Sequence, residues 1–305
     1  MCPSTPPDPW ADTPAVLAAL AAHGVALLPS AFDDATLDAA RAEAAGLLEA
    51  AEAAALSGGG AEELEGAAAR AAAQRGCVFQ VLPELTCAGH PARRDARAYW
   101  AARSAWPCAP RVGAWLRGAR LRALLAAALG AAPLLFNEQH IIKLGGRAAA
   151  AEATAFVWHR DGDACREAGP ERRYLSLWVA LHDTTPDNGA LVVLPRGRGC
   201  GAGGCSCGGG GDDGGPPAAT RRPVRYVHVG GAAGAQLPVD DGDGGPGPVG
   251  LLMPAGSAVL FDDQLWHCSG PNASRHTRSA FMAQFCAAPL TWREGGELVG
   301  LAVPL

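Results

Sequence analysis

Ala155-Phe-Val-Trp-His-Arg-Asp161 places a histidine and an aspartate two residues apart at the end of a short apolar run. On an extended strand, residues two apart point to the same face. His159 and Asp161 therefore project together, while Trp158 and Arg160 face the other way. This reading requires β-structure, and the surrounding chain supplies it. After Pro133, short apolar or alternating segments are separated by glycine, proline and aspartate: 134–143, 154–160, 173–182, 190–194, 224–229, 249–253, 257–262 and 277–286. Short strands at such spacing point to a sandwich or barrel, not to a parallel βαβ sheet. Eight of them fit a double-stranded β-helix, the cupin-like variant of the jelly roll.

Toward the N-terminus the character is different. Residues 1–12 are proline-rich and are read as a flexible lead. From Thr13 to about Arg122 the chain is rich in alanine with helical periodicity, which predicts helices over 13–23, 34–56, 61–75, 92–104 and 111–129. Asp33 or Asp34 is the expected N-cap of the second, because a carboxylate accepts the free amide hydrogens of a first turn. Gly24-Val-Ala-Leu-Leu-Pro29 reads as a short strand between the first two helices. The expected architecture is α+β with a mainly β core. One domain spans 13–305, with a helical support region over 13–132 and the β core over 133–290. Residues 197–221 and 230–248 are dominated by glycine, whose ordering costs much backbone entropy, so they read as surface loops flanking the 224–229 strand.

Composition narrows the function. With 49% apolar residues in 305, the chain can bury a sizeable core. A net charge of −5 argues against a nucleic-acid partner, which calls for a basic stripe. Arg93, Arg94 and Arg97, and also Arg221, Arg222 and Arg225, form small groups that read as solvated surface. Ten cysteines at irregular spacing are too sparse for a disulfide scaffold and read as reduced thiols. Cys200, Cys205 and Cys207 lack the paired spacing of a structural zinc site and read as part of a loop. The apolar run Ala123 to Phe136 is too short to span a bilayer and contains Gly130 and Pro133. No secretory, transit or peroxisomal signal is legible, which predicts a cytoplasmic protein.

His159 and Asp161 offer one nitrogen and one oxygen to a borderline metal ion, and a second imidazole is needed from a distant segment. His23, His90, His140, His182, His228 and His276 compete for that role. His267, in Ser257-Ala-Val-Leu-Phe-Asp-Asp-Gln-Leu-Trp-His267, is the best candidate, because an apolar strand carries the chain in and an arginine follows eleven residues later. Two histidines and one carboxylate on one face leave positions open for oxygen and a chelating cosubstrate, the donor set that suits non-haem iron(II).

That arginine is Arg278, in Thr277-Arg-Ser-Ala-Phe-Met-Ala-Gln-Phe285. Alternation puts Arg278, Ala280, Met282 and Gln284 on one face. When 2-oxoglutarate chelates iron through its keto acid, its second carboxylate points away. A guanidinium can grip that group with two parallel hydrogen bonds.

Several runs extend the pattern: His159-Arg-Asp161, Tyr174-Leu-Ser-Leu-Trp-Val-Ala-Leu181, Thr185-Pro-Asp-Asn-Gly-Ala-Leu191 with Leu194-Pro195, and His267-Cys-Ser-Gly-Pro-Asn272 leading to Arg278. Together they resemble the phytanoyl-CoA dioxygenase family over roughly residues 14–290. The resemblance implies a double-stranded β-helix with helices on one side, iron(II) at His159, Asp161 and His267, and 2-oxoglutarate held by Arg278. It also implies that Ser269 helps bind the same carboxylate and that Trp178 lines the cosubstrate pocket. Lys143, the only lysine in the chain, resembles a family lysine near the cosubstrate, and Gln139 shares its strand face. The glycine-rich insertion between Pro195 and Leu251 departs from the family pattern.

The expected reaction is hydroxylation of a small organic or lipid-like substrate. Iron(II), 2-oxoglutarate and O2 are consumed or used, with ascorbate as auxiliary reductant, and succinate and CO2 are the co-products. Asp161 fills the position that a halogenase keeps open for chloride. Two alternatives stand beside this reading: a non-catalytic β-helix protein that binds a metal or ligand, and a zinc cupin, which leaves Arg278 without a role. Substrate identity and oligomeric state are not legible.

Overall fold

The computed structural model describes residues 13–56, 77–82, 85, 89–105, 110–146, 154–163, 173–197, 216–230, 237, 246–292 and 294–305. The predicted helix over 61–75 and the Cys200, Cys205 and Cys207 group lie outside these residues, as do most of the two glycine-rich stretches.

Helices α1 (Thr13–His23) and α2 (Asp34–Leu56) flank strand β1 (Val25–Leu28). Asp33 is the cap of α2: its Oδ1 accepts the Thr36 amide at 2.7 Å and its carbonyl accepts that of Leu37. That hydrogen bonding holds its carboxyl below the usual range. A short strand β2 (Val78–Gln80) follows, then α3 (Ala96–Ala105). The helix predicted over 111–129 is two helices, α4 (Pro110–Leu116) and α5 (Ala119–Leu129). Gly118 takes an extended conformation (ψ 139°) between them, and its carbonyl opens the second helix by accepting the Arg122 amide.

The strands are β3 (Leu134–Lys143), β4 (Phe156–His159), β5 (Tyr174–Ala180), β6 (Leu191–Leu194), β7 (Arg225–His228), β8 (Val249–Leu252), β9 (Ala258–Asp262), β10 (Trp266–Ser269), β11 (Arg278–Cys286) and β12 (Val303–Pro304). They form two sheets. One has the order β1-β9-β5-β11-β3-β12, with β2 also on β3; the other has the order β4-β10-β6-β8-β7. The sheet-rich part is therefore not confined to 133–290. Strands β1 and β2 come from the helical region and β12 from the last residues, all three paired to the larger sheet. Strand β10 was not foreseen, because Asp262 and Asp263 break the apolar run before it and it is only four residues long.

Alternation along the central strands sorts the side chains into two cores. Phe281, Ala283 and Phe285 of β11, with Leu175, Leu177 and Val179 of β5, face the helices and pack with residues such as Leu37, Leu47 and Leu125. Ala280 and Met282, with Trp178 and Ala180, face the smaller sheet and meet Leu191, Val193, Val249 and Leu251. The larger sheet is thus the middle layer, and each fully buried large apolar side chain there contributes roughly 1.5–3 kcal/mol. That two-sided burial explains why β5, β9 and β11 are buried at every residue.

Two buried polar clusters tie the layers together. Arg103 on α3 bonds both Glu43 of α2 and Glu138 of β3 at 2.7–3.0 Å, while Tyr99 donates to Glu138 and His140 sits 3.2 Å from Glu43. Burial works against the Arg103 charge, but the two carboxylates hold its pKa above the ordinary value. Arg93, expected at the surface, is buried and donates to the carbonyls of Leu298 and Gly300, anchoring the C-terminal segment. Among the described residues, Cys77, Cys268 and Cys286 are thiols outside any disulfide, and no helix is long and apolar enough to cross a membrane.

Candidate active site

His159 and His267 are direct partners across the antiparallel β4–β10 pair. Their ring centroids lie 4.2 Å apart. Each Nδ1 meets the carbonyl oxygen two residues earlier, His159 with Val157 at 2.7 Å and His267 with Leu265 at 3.0 Å. A carbonyl only accepts, so each Nδ1 carries a proton and each Nε2 is the nitrogen turned toward Asp161.

Asp161 lies past the end of β4, in a tight turn at 161–163. The turn docks by the Gly162 amide on the Asp263 carbonyl at 2.8 Å, an approach so close that a Cβ at 162 would collide with that oxygen. Asp161 Oδ1 ends 3.8 Å from His159 Nε2 and 3.5 Å from His267 Nε2. Among the described residues these three form the one group of candidate metal-binding side chains, with all donor atoms within 4.8 Å of one another. Burial alone would raise the Asp161 pKa, but His267, Ser176 and His159 lower it to about 2. The carboxylate is therefore anionic at neutral pH. Two imidazole nitrogens and one carboxylate oxygen fit a borderline divalent ion such as iron(II).

Four of the six competing histidines are engaged elsewhere, and none of the six joins the His159, Asp161 and His267 group. His23 Nδ1 meets the Arg196 carbonyl, His90 caps a short turn, His140 joins the Glu43 cluster and His182 accepts the Ser279 amide.

Behind the metal position lies a cleft with about 510 Å3 of empty space, counting its mouth. Arg278, 1% exposed, stands at one end of its wall. The tight turn Pro186–Asn188 is closed by a capping box between Thr185 and Asn188, and this presents two carbonyls to the guanidinium. Arg278 donates to Asn188 O at 3.3 Å and to Gly189 O, and its guanidinium carbon sits 5.4 Å from the Trp178 ring. The remaining nitrogen, Nη1, is buried without a partner among the described residues.

Lys143, directly opposite on β3, is fully buried. Its Nζ donates to Ser269 Oγ at 2.7 Å and Gly270 O at 2.5 Å. Burial and then the Arg278 charge lower its pKa to about 7, and burial lowers that of Arg278 to about 10. The serine oxygen accepts from the lysine, so its own hydrogen is free to donate. The resemblance implied a lysine near the cosubstrate, and Lys143 is interior, at 0% exposure.

Spacing between His267 and Arg278 is set by Asn272, 1% exposed. Its amide donates to the carbonyls of Lys143 and His276, and its oxygen accepts from Ser274, so the loop folds back onto β3. Gln139 also lines the cleft, with its Oε1 accepting from Gln80 at 3.0 Å and Asn137 at 3.3 Å. The structure thus brings His159, Asp161, His267, Arg278, Ser269, Trp178, Lys143 and Gln139 to one region.

Sequence reading missed Ser176 and Gln284, which both donate to Asp161 Oδ2. The signal existed: Gln284 shares the Arg278 face of β11, and Ser176 the Trp178 face of β5.

The family model described as phytanoyl-CoA dioxygenase matches residues 20–203 and 216–280. The chain belongs to the phytanoyl-CoA dioxygenase family. Solved structures similar to this chain in fold include the non-heme alpha-ketoglutarate-dependent epimerase SnoN from nogalamycin biosynthesis, at 17% identity and TM-score 0.54, covering 97% of this chain and 93% of that one. The carbocyclase SnoK of the same biosynthesis is 15% identical with TM-score 0.53, covering 99% and 96%. A SnoN complex with Fe3+, alpha-ketoglutarate and nogalamycin RO superposes with TM-score 0.50 at 17% identity, covering 97% and 96%. By sequence, no curated protein matches the chain. At these identities the neighbours bear on the fold alone.

Proposed function

We propose that this member of the phytanoyl-CoA dioxygenase family is an iron(II)- and 2-oxoglutarate-dependent dioxygenase that hydroxylates a small organic or lipid-like substrate, releasing succinate and CO2. One observation carries the reading: a two-histidine, one-carboxylate cluster opens on the same cleft as Arg278, a buried cation that pairs with no carboxylate among the described residues, with Lys143 bonded to Ser269 of the cleft wall. A buried unpaired charge is costly, so this wall asks for an anion. The dicarboxylate 2-oxoglutarate reaches from the cluster to that wall. The two facing sheets also support the finer reading of the core as a double-stranded β-helix, with 13–305 as one domain.

In this reading His159 Nε2, His267 Nε2 and Asp161 Oδ1 hold the metal. When bound, iron(II) supplies the one-electron chemistry by which O2 is reduced while 2-oxoglutarate is decarboxylated. Arg278 receives the distal carboxylate through its unpartnered Nη1, and Ser269 and Lys143 add a hydroxyl and an ammonium donor. Trp178 braces the guanidinium. The rest of the cleft is apolar, with Ile141, Phe156, Leu191 and Met282 among its lining, and this excludes water from the reacting groups. Gln139 is the remaining uncharged amide there, with its NH2 open to a cosubstrate or substrate oxygen. The lining favours a substrate that is mainly apolar.

The test is succinate formation with iron(II), ascorbate and 2-oxoglutarate under air, against a library of small organic and lipid-like compounds. Turnover is expected, and Asp161→Gly should abolish it together with metal binding. An Asp161→Gly protein that hydroxylates as well as the parent refutes the ligand assignment. Metal and 2-oxoglutarate binding without succinate from any compound would leave a binding protein instead of an enzyme.

A further inference from the structure

Asp161 has two carboxylate oxygens, and the protein treats them differently. Oδ2 accepts the Ser176 hydroxyl at 2.6 Å and the Gln284 amide at 3.0 Å. Oδ1 is the atom that faces the two imidazole nitrogens. We propose that Gln284 is a positioning residue that, with Ser176, ties down Oδ2 and leaves Oδ1 as the one metal-facing oxygen. The inference rests on the metal-centre reading above and extends it to a residue outside the donor set.

The direction of the Gln284 amide is fixed by its neighbours. Asn137 Nδ2 donates to Gln284 Oε1 at 3.0 Å, so the oxygen end is turned toward Asn137 and the NH2 end toward Asp161. The two ends of a carboxamide are nearly the same shape, and hydrogen-bond partners decide which way it points. The Asp161 carboxylate is anionic and only accepts, so the Gln284 end that meets it must be the NH2, and its oxygen is left to accept from Asn137. Gln284 also donates to Ser176 Oγ at 2.9 Å, which occupies the hydroxyl as acceptor and leaves its single hydrogen for Asp161. Each link therefore forces the next.

Strand register makes the row. Asn137 of β3, Gln284 of β11 and Ser176 of β5 stand opposite one another across three adjacent strands. All three point from the larger sheet toward the metal position, and Ser176 and Gln284 are buried, at 0% and 5% exposure. A polar row in this otherwise apolar face carries a desolvation cost unless every member is satisfied. Its geometry satisfies them by ending on Asp161. An oxygen already engaged by two donors is a poorer metal ligand than its free twin. Coordination through Oδ1 alone uses one metal position; coordination through both would use two and take one from the incoming ligands.

Cobalt(II) is the probe, because its visible bands report coordination number without turnover. Full-length wild type, Gln284→Met, Gln284→Glu and Asn137→Leu are titrated with cobalt(II), and the metal-free melting temperature of each is recorded. Methionine keeps the volume and removes the donor; glutamate replaces the donor with a repelling acceptor; Asn137→Leu leaves Gln284 in place but free to turn over. Gln284→Met should lose about 10- to 100-fold in cobalt affinity, and its bands should weaken as Oδ2 joins the coordination. Gln284→Glu should lose more, and Asn137→Leu less. Wild-type affinity and bands in both Gln284 variants, whatever their melting temperatures, overturn the proposal. Should the Gln284 variants not fold, Asn137→Leu decides: wild-type affinity and bands there overturn it, and reduced affinity with altered bands upholds it. If wild type binds no cobalt, the metal-centre reading falls first, and this inference falls with it.

Discussion

Lys143 and Arg278 face each other across β3 and β11, and neither is paired with a carboxylate among the described residues. Two charges in register would repel: burial and the Arg278 charge lower the Lys143 pKa to about 7, and carbonyl oxygens surround each group. Asn188 and Gly189 serve the arginine; Ser269 and Gly270 serve the lysine. These dipoles lessen the penalty without neutralising the charge. A ligand dianion completes the arrangement.

Arg278→Lys should weaken 2-oxoglutarate binding while leaving metal affinity intact. A lysine keeps the charge but loses the planar pair of donors and the Trp178 stacking. Losing one charge-assisted hydrogen bond costs about 2 kcal/mol, or roughly 30-fold in affinity. Calorimetric titration of the metal-loaded protein measures it, and an unchanged affinity would mean that the cosubstrate lies elsewhere.

The pH dependence of that binding follows from Lys143. Burial and Arg278 bring its pKa from 10.5 to about 7, so above pH 7 the free side chain is neutral. A bound carboxylate favours the ammonium and raises the pKa again. Binding at pH 8 should therefore take up a proton, and affinity should fall as pH rises above 7, by at most about tenfold per unit. Titrations in two buffers of different ionisation enthalpy at pH 8 reveal the uptake, which Lys143→Met should remove. For folding, the sign is also set: between pH 10.5 and 7 the unfolded chain holds a proton that the folded chain lacks. This group's contribution to stability therefore declines as pH falls through that window.

Gly189→Ala should damage the anion wall and the fold together. Its φ is +78°, a left-handed conformation that costs a side chain energy, and a Cβ there would run into the Gly270 carbonyl and come within 3.1 Å of Lys143 Nζ. A loss of about 1–3 kcal/mol is expected, seen as a lower melting temperature and weaker 2-oxoglutarate binding in the same variant. A melting temperature equal to the parent's would contradict the geometry of the 185–189 turn.

Arg103→Met should separate stability from function. It leaves Glu43 and Glu138 buried without their cation, a change that costs about 3–5 kcal/mol and lowers the melting temperature on the order of 10 °C. The cluster lies on the helix side of β3, so 2-oxoglutarate affinity of the folded protein should not change. Loss of binding before any loss of folding would show that the two faces of β3 are coupled.

Much of the site could be read because strand periodicity is local. Alternation in Thr277–Phe285 assigns Arg278, Ala280, Met282 and Gln284 to one face, and the structure keeps that assignment residue by residue. The same logic put His159 and Asp161 together, although Asp161 reaches the cluster from a turn and not from the strand itself. Periodicity failed where an element is short or interrupted. β2 and β12 have three and two residues, too few to show a period, β10 follows the break at Asp262 and Asp263, and 111–129 hides a break at Gly118 behind uniform alanine.

Residue order alone fixed which side chains share a face, which segments are apolar enough to enter a core, and that a histidine, an aspartate and an arginine recur at intervals suited to one chemistry. Those properties depend on backbone geometry over a few residues and on composition, both of which a linear chain carries. Tertiary structure alone decided that His267 stands opposite His159, that Lys143 is interior, and that Asn137, Gln284 and Ser176 form a row beneath Asp161. These are matters of register between strands up to 147 residues apart, chosen by the packing of the two cores as a whole.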